Sequence, residues 1–168
     1  MNIYLVGFMG TGKTSVGRQL AKQKGWNFVD LDDLIELQQQ RRIVDIFAQE
    51  GEAYFRKVEK KILKQVATQK KFVVACGGGI VLDPDNIKLM KKTGILICLR
   101  ATGEAILKRV SASTHRPILN VAKPRERIEL LLKMRAPYYM QADKTIDTSR
   151  SSIKQVVAKI TRMLSDKK

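Results

Sequence analysis

The chain has 168 residues, a formal net charge of +16, 44% hydrophobic and 29% charged residues. That balance describes one globular domain with a core of its own. It excludes a chain built on membrane-spanning helices, because no apolar run approaches the ~20 residues such a helix needs. It also excludes a disulfide framework or a zinc module, because Cys76, Cys98 and one histidine are too few. A reduced, cytoplasmic protein is the simplest expectation. The basic residues are spread along the chain, and aromatics, at 6%, do not interleave with them. This does not favour a nucleic-acid surface and suits anionic substrates instead.

In chain order, Ile3-Tyr4-Leu5-Val6 reads as a short buried strand and not as a signal peptide. Gly7-Phe8-Met9-Gly10-Thr11-Gly12-Lys13-Thr14 follows and fits G-x-x-x-x-G-K-[ST] at every fixed position. Glycines let such a loop turn its N–H groups inward as an anion cradle at a helix start. Lys13 would reach the β- and γ-phosphates, and Thr14 would put a hydroxyl on Mg²⁺. The helix behind the loop would face inward with Val16, Leu20 and Ala21. Gly17 would let it lie close to a sheet, and Gly25 would stop it.

Asn27-Phe28-Val29 is a second strand, ending at Asp30. Asp30 is placed for the metal and Asp32 for a substrate hydroxyl; helix capping explains an aspartate at either position equally well. Residues about 32–62 read as a helical insertion with Phe47, Tyr54, Phe55 and Arg56. Phe72-Val73-Val74-Ala75-Cys76 is a buried strand ending at Gly77-Gly78-Gly79, whose bare backbone would bind a second anion or hydroxyl or simply form a flexible turn. Gly94–Leu99 is another buried strand and Lys144–Asp147 a weaker one. Residues about 110–123 are polar and aperiodic and read as a mobile lid. Five strands each followed by a helix imply a parallel sheet covered on both faces, with ligands at the carboxyl ends of its strands.

Eight stretches in this order carry a resemblance. They are Gly7 to Thr14; Phe28-x-Asp30-x-Asp32-x-x-Ile35-Glu36; Asp45-Ile46-Phe47; Gly51-Glu52-x-x-Phe55-Arg56-x-x-Glu59; Gly77-Gly78-Gly79; Arg116-Pro117-x-Leu119; Arg135-x-Pro137-x-Tyr139; and Ile146-Asp147-Thr148. Over nearly its whole length the chain resembles shikimate kinases of the nucleoside-monophosphate-kinase-like group. The resemblance implies a three-layer α/β P-loop kinase fold with strand order 2-3-1-4-5. It implies transfer of the γ-phosphoryl of ATP to the 3-hydroxyl of shikimate, with Mg²⁺ as cofactor. Arg56 and Arg135 would grip the shikimate carboxylate, and Asp32 and Gly78 would hold its hydroxyls. Gly77, Gly79 and Glu59 would shape the pocket, and Phe47 and Phe55 would wall it. ATP contacts would come from Gly10, Thr11, Gly12, Lys13, Thr14 and Ser15, with Arg109 and Arg150 bordering adenine and the lid Arg116 reaching both substrates. Lys13, Asp32 and Arg116 would be catalytic, and Thr14 and Asp30 would serve the metal. Cys76 stands where many relatives carry a hydroxyl. The expected partners are ATP and shikimate, and the expected state is a monomer away from membranes. Rival readings are another small-molecule kinase of this fold, or a nucleotide-dependent nucleic-acid-binding protein.

Overall fold

A computed structural model describes residues 1–112 and 121–166. In it β1 (Asn2–Val6), β2 (Asn27–Asp30), β3 (Phe72–Ala75), β4 (Gly94–Arg100) and β5 (Lys144–Asp147) form one sheet in the order β2-β3-β1-β4-β5. All neighbours are parallel, with Leu5 opposite both Ala75 and Ile97. The implied strand order and the α/β class therefore hold.

Both faces of the sheet are buried, which is why the central strands read as continuous apolar runs. From β1, Ile3 and Leu5 point to one face, where Val16, Leu20 and Ala21 of α1 (Lys13–Lys24) meet Val156, Val157 and Ile160 of α8 (Ile153–Ser165). Tyr4 and Val6 point to the other face. There they pack with Ile62 and Leu63 of α4 (Glu52–Ala67) and Met90 of α5 (Pro84–Thr93). Each valine, leucine, isoleucine or methionine among these, taken fully out of water, contributes roughly 1.5–3 kcal/mol. Gly17 is close-packed as expected: a Cβ there would stand 2.7 Å from the Phe28 ring. Gly25 ends α1 at φ 62°, and Trp26 N–H closes the turn on Ala21 O at 2.9 Å.

The expected insertion is helical: α2 (Leu31–Gln39), α3 (Ile43–Glu50) and α4 follow one another beside the carboxyl end of β2. One boundary needs correcting. α6 (Gly103–Ser111) takes in the first two residues of the expected lid, and Val110 is buried. Its methyl group would stand 3.2 Å from a Cβ on Gly10, so the last turn of α6 packs under the phosphate loop. Residues 113–120, which include His115 and Arg116, lie outside the described residues. α7 (Pro124–Tyr139) then returns the chain to β5. Among the described residues, no helix is long and apolar enough to cross a membrane.

Candidate active site

At the carboxyl edge of the sheet, β1 turns into α1 through Gly7, Gly10 and Gly12, with φ of 144°, 76° and 96°. L side chains rarely adopt these values. Gly7 is doubly constrained, because a Cβ there would run into Leu99 O of β4. Lys13 Nζ donates to Gly7 O at 2.7 Å and to Phe8 O at 3.0 Å, which holds its ammonium over the loop. Thr11 is buried, and its hydroxyl donates to Phe8 O at 2.7 Å. Its side chain therefore shapes the loop from behind. Gly10, Gly12, Lys13, Thr14 and Ser15 line a cleft of about 840 Å³.

Asp30 has two tasks. Its Oδ1 accepts from Asp32 N–H at 3.0 Å and so caps α2; its Oδ2 accepts from the Thr14 hydroxyl at 2.7 Å. The capping reading of this residue therefore holds, and its second oxygen ties the start of α2 to the residue that ends the phosphate-loop motif. Giving its proton to Asp30 leaves Thr14 Oγ1 as a hard oxygen donor facing the loop. That chemistry fits Mg²⁺, which uses one or two protein oxygens and keeps waters and phosphate oxygens for the rest. Among the described residues, no cluster of three or more histidine, cysteine or acidic side chains offers a cage of its own.

The three glycines after β3 form the floor of the same cleft, and each meets a different charged side chain. A Cβ on Gly77 would lie 3.0 Å from both Asp32 Oδ1 and Glu59 Oε2. One on Gly78 would lie 3.2 Å from Arg135 Nη1, and one on Gly79 would overlap the Arg56 guanidinium. The run is therefore a close-approach surface and not merely a flexible turn. It lets two arginines and two carboxylates converge on bare backbone. Arg56 Nη1 donates to Glu59 Oε1 at 2.8 Å, with Glu52 as a second partner at 3.3 Å. Arg135 lies over the Phe8 ring, 5.6 Å from its centroid, and Tyr139 hydroxyl donates to Gly78 O at 2.6 Å. Phe47 and Phe55, with ring centroids 4.7 Å apart, stand in the wall.

Burial dominates the electrostatics. It pushes Asp32 from 3.8 up to about 6, with the neighbouring Asp30 charge adding to the rise and Lys13 opposing it. Burial also raises Glu59, against the pull of Arg56. Glu59 is 1% exposed, and its Oε2 has no hydrogen-bond partner among the described residues, so an acceptor oxygen is left at the pocket floor. Cys76 also lines the cleft, but burial holds its thiol well above its ordinary value. A carboxylate near pKa 6 beside paired arginines, a glycine floor and a phosphate loop can bind a small anionic polyol and take a proton from one of its hydroxyls.

A shikimate kinase family model matches residues 9–165. The chain belongs to the shikimate kinase family. The shikimate kinase of Thermodesulfovibrio yellowstonii is 45% identical, covering 96% of this chain and 93% of that protein. That of Caldanaerobacter subterraneus subsp. tengcongensis is 44% identical, covering 96% and 94%. Among solved structures, the Acinetobacter baumannii shikimate kinase in complex with shikimate superposes with a TM-score of 0.92 at 39% identity, over 99% of this chain and 94% of that one. The Aquifex aeolicus shikimate kinase gives 0.83 at 30% identity, over 99% and 97%.

Most of the expected site residues line this one cleft; Thr11 lies behind the loop, and Arg116 and Arg150 are not among the described lining residues. Arg116 lies outside the described residues. Arg150 is exposed on the turn after β5 and is not part of the cleft wall. Arg109 is in the wall, but its guanidinium binds Gly10 O at 3.0 Å and both Thr148 oxygens. The serines after β5 serve the fold: Ser152 and Gln155 form a capping box on α8, and Ser149 Oγ accepts from Thr102 N–H at 2.9 Å. Thr148, the last residue of the Ile146-Asp147-Thr148 stretch, is a buried junction that the motif alone does not reveal. An interior threonine directly after a strand is the signal that was there to be used.

Proposed function

We propose that the chain phosphorylates shikimate on its 3-hydroxyl, using ATP and releasing ADP. The observation that carries the reading is one cleft in which a complete phosphate loop faces a glycine floor ringed by Arg56, Arg135, Asp32 and Glu59. Family membership supports the reaction class independently. Shikimate is a small ring with three hydroxyls and one carboxylate. Two guanidiniums give forked hydrogen bonds to that carboxylate and fix the ring's orientation. Phe47 and Phe55 cover its apolar side.

Asp32 then accepts from the hydroxyl that attacks the γ-phosphorus and takes its proton as the new P–O bond forms. The bond to the bridging oxygen breaks, and ADP leaves with the electron pair. Glycine N–H groups, the α1 amino end and Lys13 hold the phosphates in line, where alignment and charge neutralisation account for most of the rate. Thr14, backed by Asp30, would hold Mg²⁺, which neutralises phosphate charge when bound. Arg116 adds a cation from the lid, which follows α6 and runs to about residue 123, and the helices within 32–62 form the acceptor side of the one domain. Arg109 and Arg150 are assigned to the adenine side.

The test is an ADP-release assay with shikimate, gluconate, AMP or water as acceptor. Release that depends on shikimate and exceeds the other acceptors by at least ~10²-fold supports the reading. Equal release with gluconate or AMP refutes it.

A further inference from the structure

We propose that Thr148 is a positioning residue for the phosphates of the nucleotide, acting by aiming the phosphate loop from behind. The proposal deepens the kinase reading by adding a residue that touches no substrate. Thr148 is 3% exposed and is not part of the cleft wall. Its N–H donates to Arg100 O at 2.8 Å, at the end of β4. Its hydroxyl has one proton to give; Thr11 O is the nearer acceptor at 2.9 Å, against 3.3 Å for Arg100 O. The same oxygen accepts from Arg109 Nη1 at 3.1 Å, and Arg109 Nη2 donates to the Thr148 carbonyl. Arg109 Nη1 also reaches Gly10 O at 3.0 Å.

Two consecutive carbonyls of the phosphate loop, those of Gly10 and Thr11, are thus drawn to Arg109 and Thr148. The peptide bond is planar and trans, so a carbonyl pulled one way turns the next N–H the other way. Fixing Thr11 O therefore fixes the Gly12 N–H, and Gly12 lines the cleft and starts α1. The N–H groups at that helix start are the ones a phosphate meets. The anchor is itself rigid: Asp147 Oδ1 accepts from Ser149 N–H at 2.8 Å, and Ser149 Oγ holds Thr102 N–H. A buried hydroxyl is costly unless its hydrogen bonds are made. Here they are made to a loop that lies 137 positions away in the chain.

A general fastening role and a positioning role predict different losses. Fastening lowers the melting temperature and weakens all ligands alike. Positioning weakens ligands that carry phosphate and spares shikimate. The experiment compares Thr148→Val, which removes the hydroxyl at nearly constant shape, with Thr148→Ser, which keeps it. Calorimetry is run with ATP and with tripolyphosphate, each with Mg²⁺, and with shikimate. We expect the valine variant to lose about tenfold in affinity for both phosphate ligands, with shikimate little changed and the serine variant near the parent. If the valine variant does not fold, Thr148→Cys against Thr148→Ser makes the same comparison through a weaker donor. Unchanged ATP affinity, equal loss for ATP and shikimate, or failure of serine to restore ATP binding overturns the proposal. These readouts need no turnover. A chain that bound ATP in this pattern but phosphorylated no shikimate would refute the proposed function and leave the Thr148 inference standing.

Discussion

Replacing Asp32 with asparagine should stabilise the fold at neutral pH while slowing the reaction. Moving this carboxyl from 3.8 to about 6 disfavours its ionised form by up to about 3 kcal/mol, at about 1.4 kcal/mol for each tenfold change in proton affinity. The folded chain therefore holds its proton more tightly than the unfolded chain. Stability is favoured below about pH 4, falls as pH rises towards 6, and stays lowered above that. Asparagine keeps the size and has no charge to bury. Asp32→Asn should gain about 1–3 kcal/mol at pH 8, or ~3–9 °C in melting temperature for a chain of this length. It should gain almost nothing at pH 4. Urea titrations of parent and variant at pH 4, 5, 6 and 8 read the difference directly. In single turnover with saturating shikimate, the same variant should be slower by ~10²–10⁴-fold. The parent rate should rise with pH through about 6. A stability gain equal at all four pH values, or a loss at pH 8, would refute the claim that Asp32 is ionised at a cost to the fold. An unchanged single-turnover rate would leave it only as a residue at the start of α2.

Lys13→Ala should fold normally and lose at least ~10²-fold in turnover, read from kinetics and a melt on the same sample, because its ammonium is held over the phosphate loop by the loop's own carbonyls. Arg56→Ala and Arg135→Ala should each weaken shikimate binding by roughly 2–5 kcal/mol with little effect on ATP, measured by separate calorimetric titrations. Only Arg56→Ala should also lower the melting temperature at pH 8, because it strips buried Glu59 of its ion pair. Gly79→Ala drives a methyl group into the space of the Arg56 guanidinium; it should cut kcat/KM for shikimate on the order of 10²-fold while the ATP dissociation constant holds.

The nucleotide half of the site was legible because its chemistry is local. The phosphate loop, the strand before it and the helix after it are contiguous, so Gly7 to Thr14 identifies itself. The sheet was legible for a similar reason: strands buried on both faces stand out as apolar runs between turn signals. The acceptor half is assembled from α2, α4, the β3 end and α7, and composition alone gave Arg56 and Arg135 no distinction from other surface arginines. Their roles came through the resemblance. Their convergence on Gly78 and Gly79 is visible only once the backbone brings them together. The end of α6 was misjudged because Ser111 and the polar residues beyond it hide a final turn held by Val110 under Gly10. The Arg109–Thr148 junction left only a faint mark, a threonine directly after a strand, since hydrogen bonds to carbonyl oxygens leave no trace in side-chain pattern.

The place of β1 has a consequence for how the protein is made. Of the five strands of the sheet β1 is made before the others, yet it lies in the middle, and its partners β3 and β4 begin only at Phe72 and Gly94. One face of the sheet is shared by α1 and α8, and α8 starts only at Ile153. Until β4 emerges Ile3–Val6 has an unpaired edge, and until α8 docks the side carrying Ile3 and Leu5 is only partly covered, the condition in which nascent chains stick to one another. Parallel pairing across such separations is slow to form. Any slowing of translation late in the message lengthens that exposure. The burden of a nucleotide loop built on the central strand therefore falls on biogenesis, where dependence on a holding chaperone should be greatest before β4 emerges and should end once α8 docks.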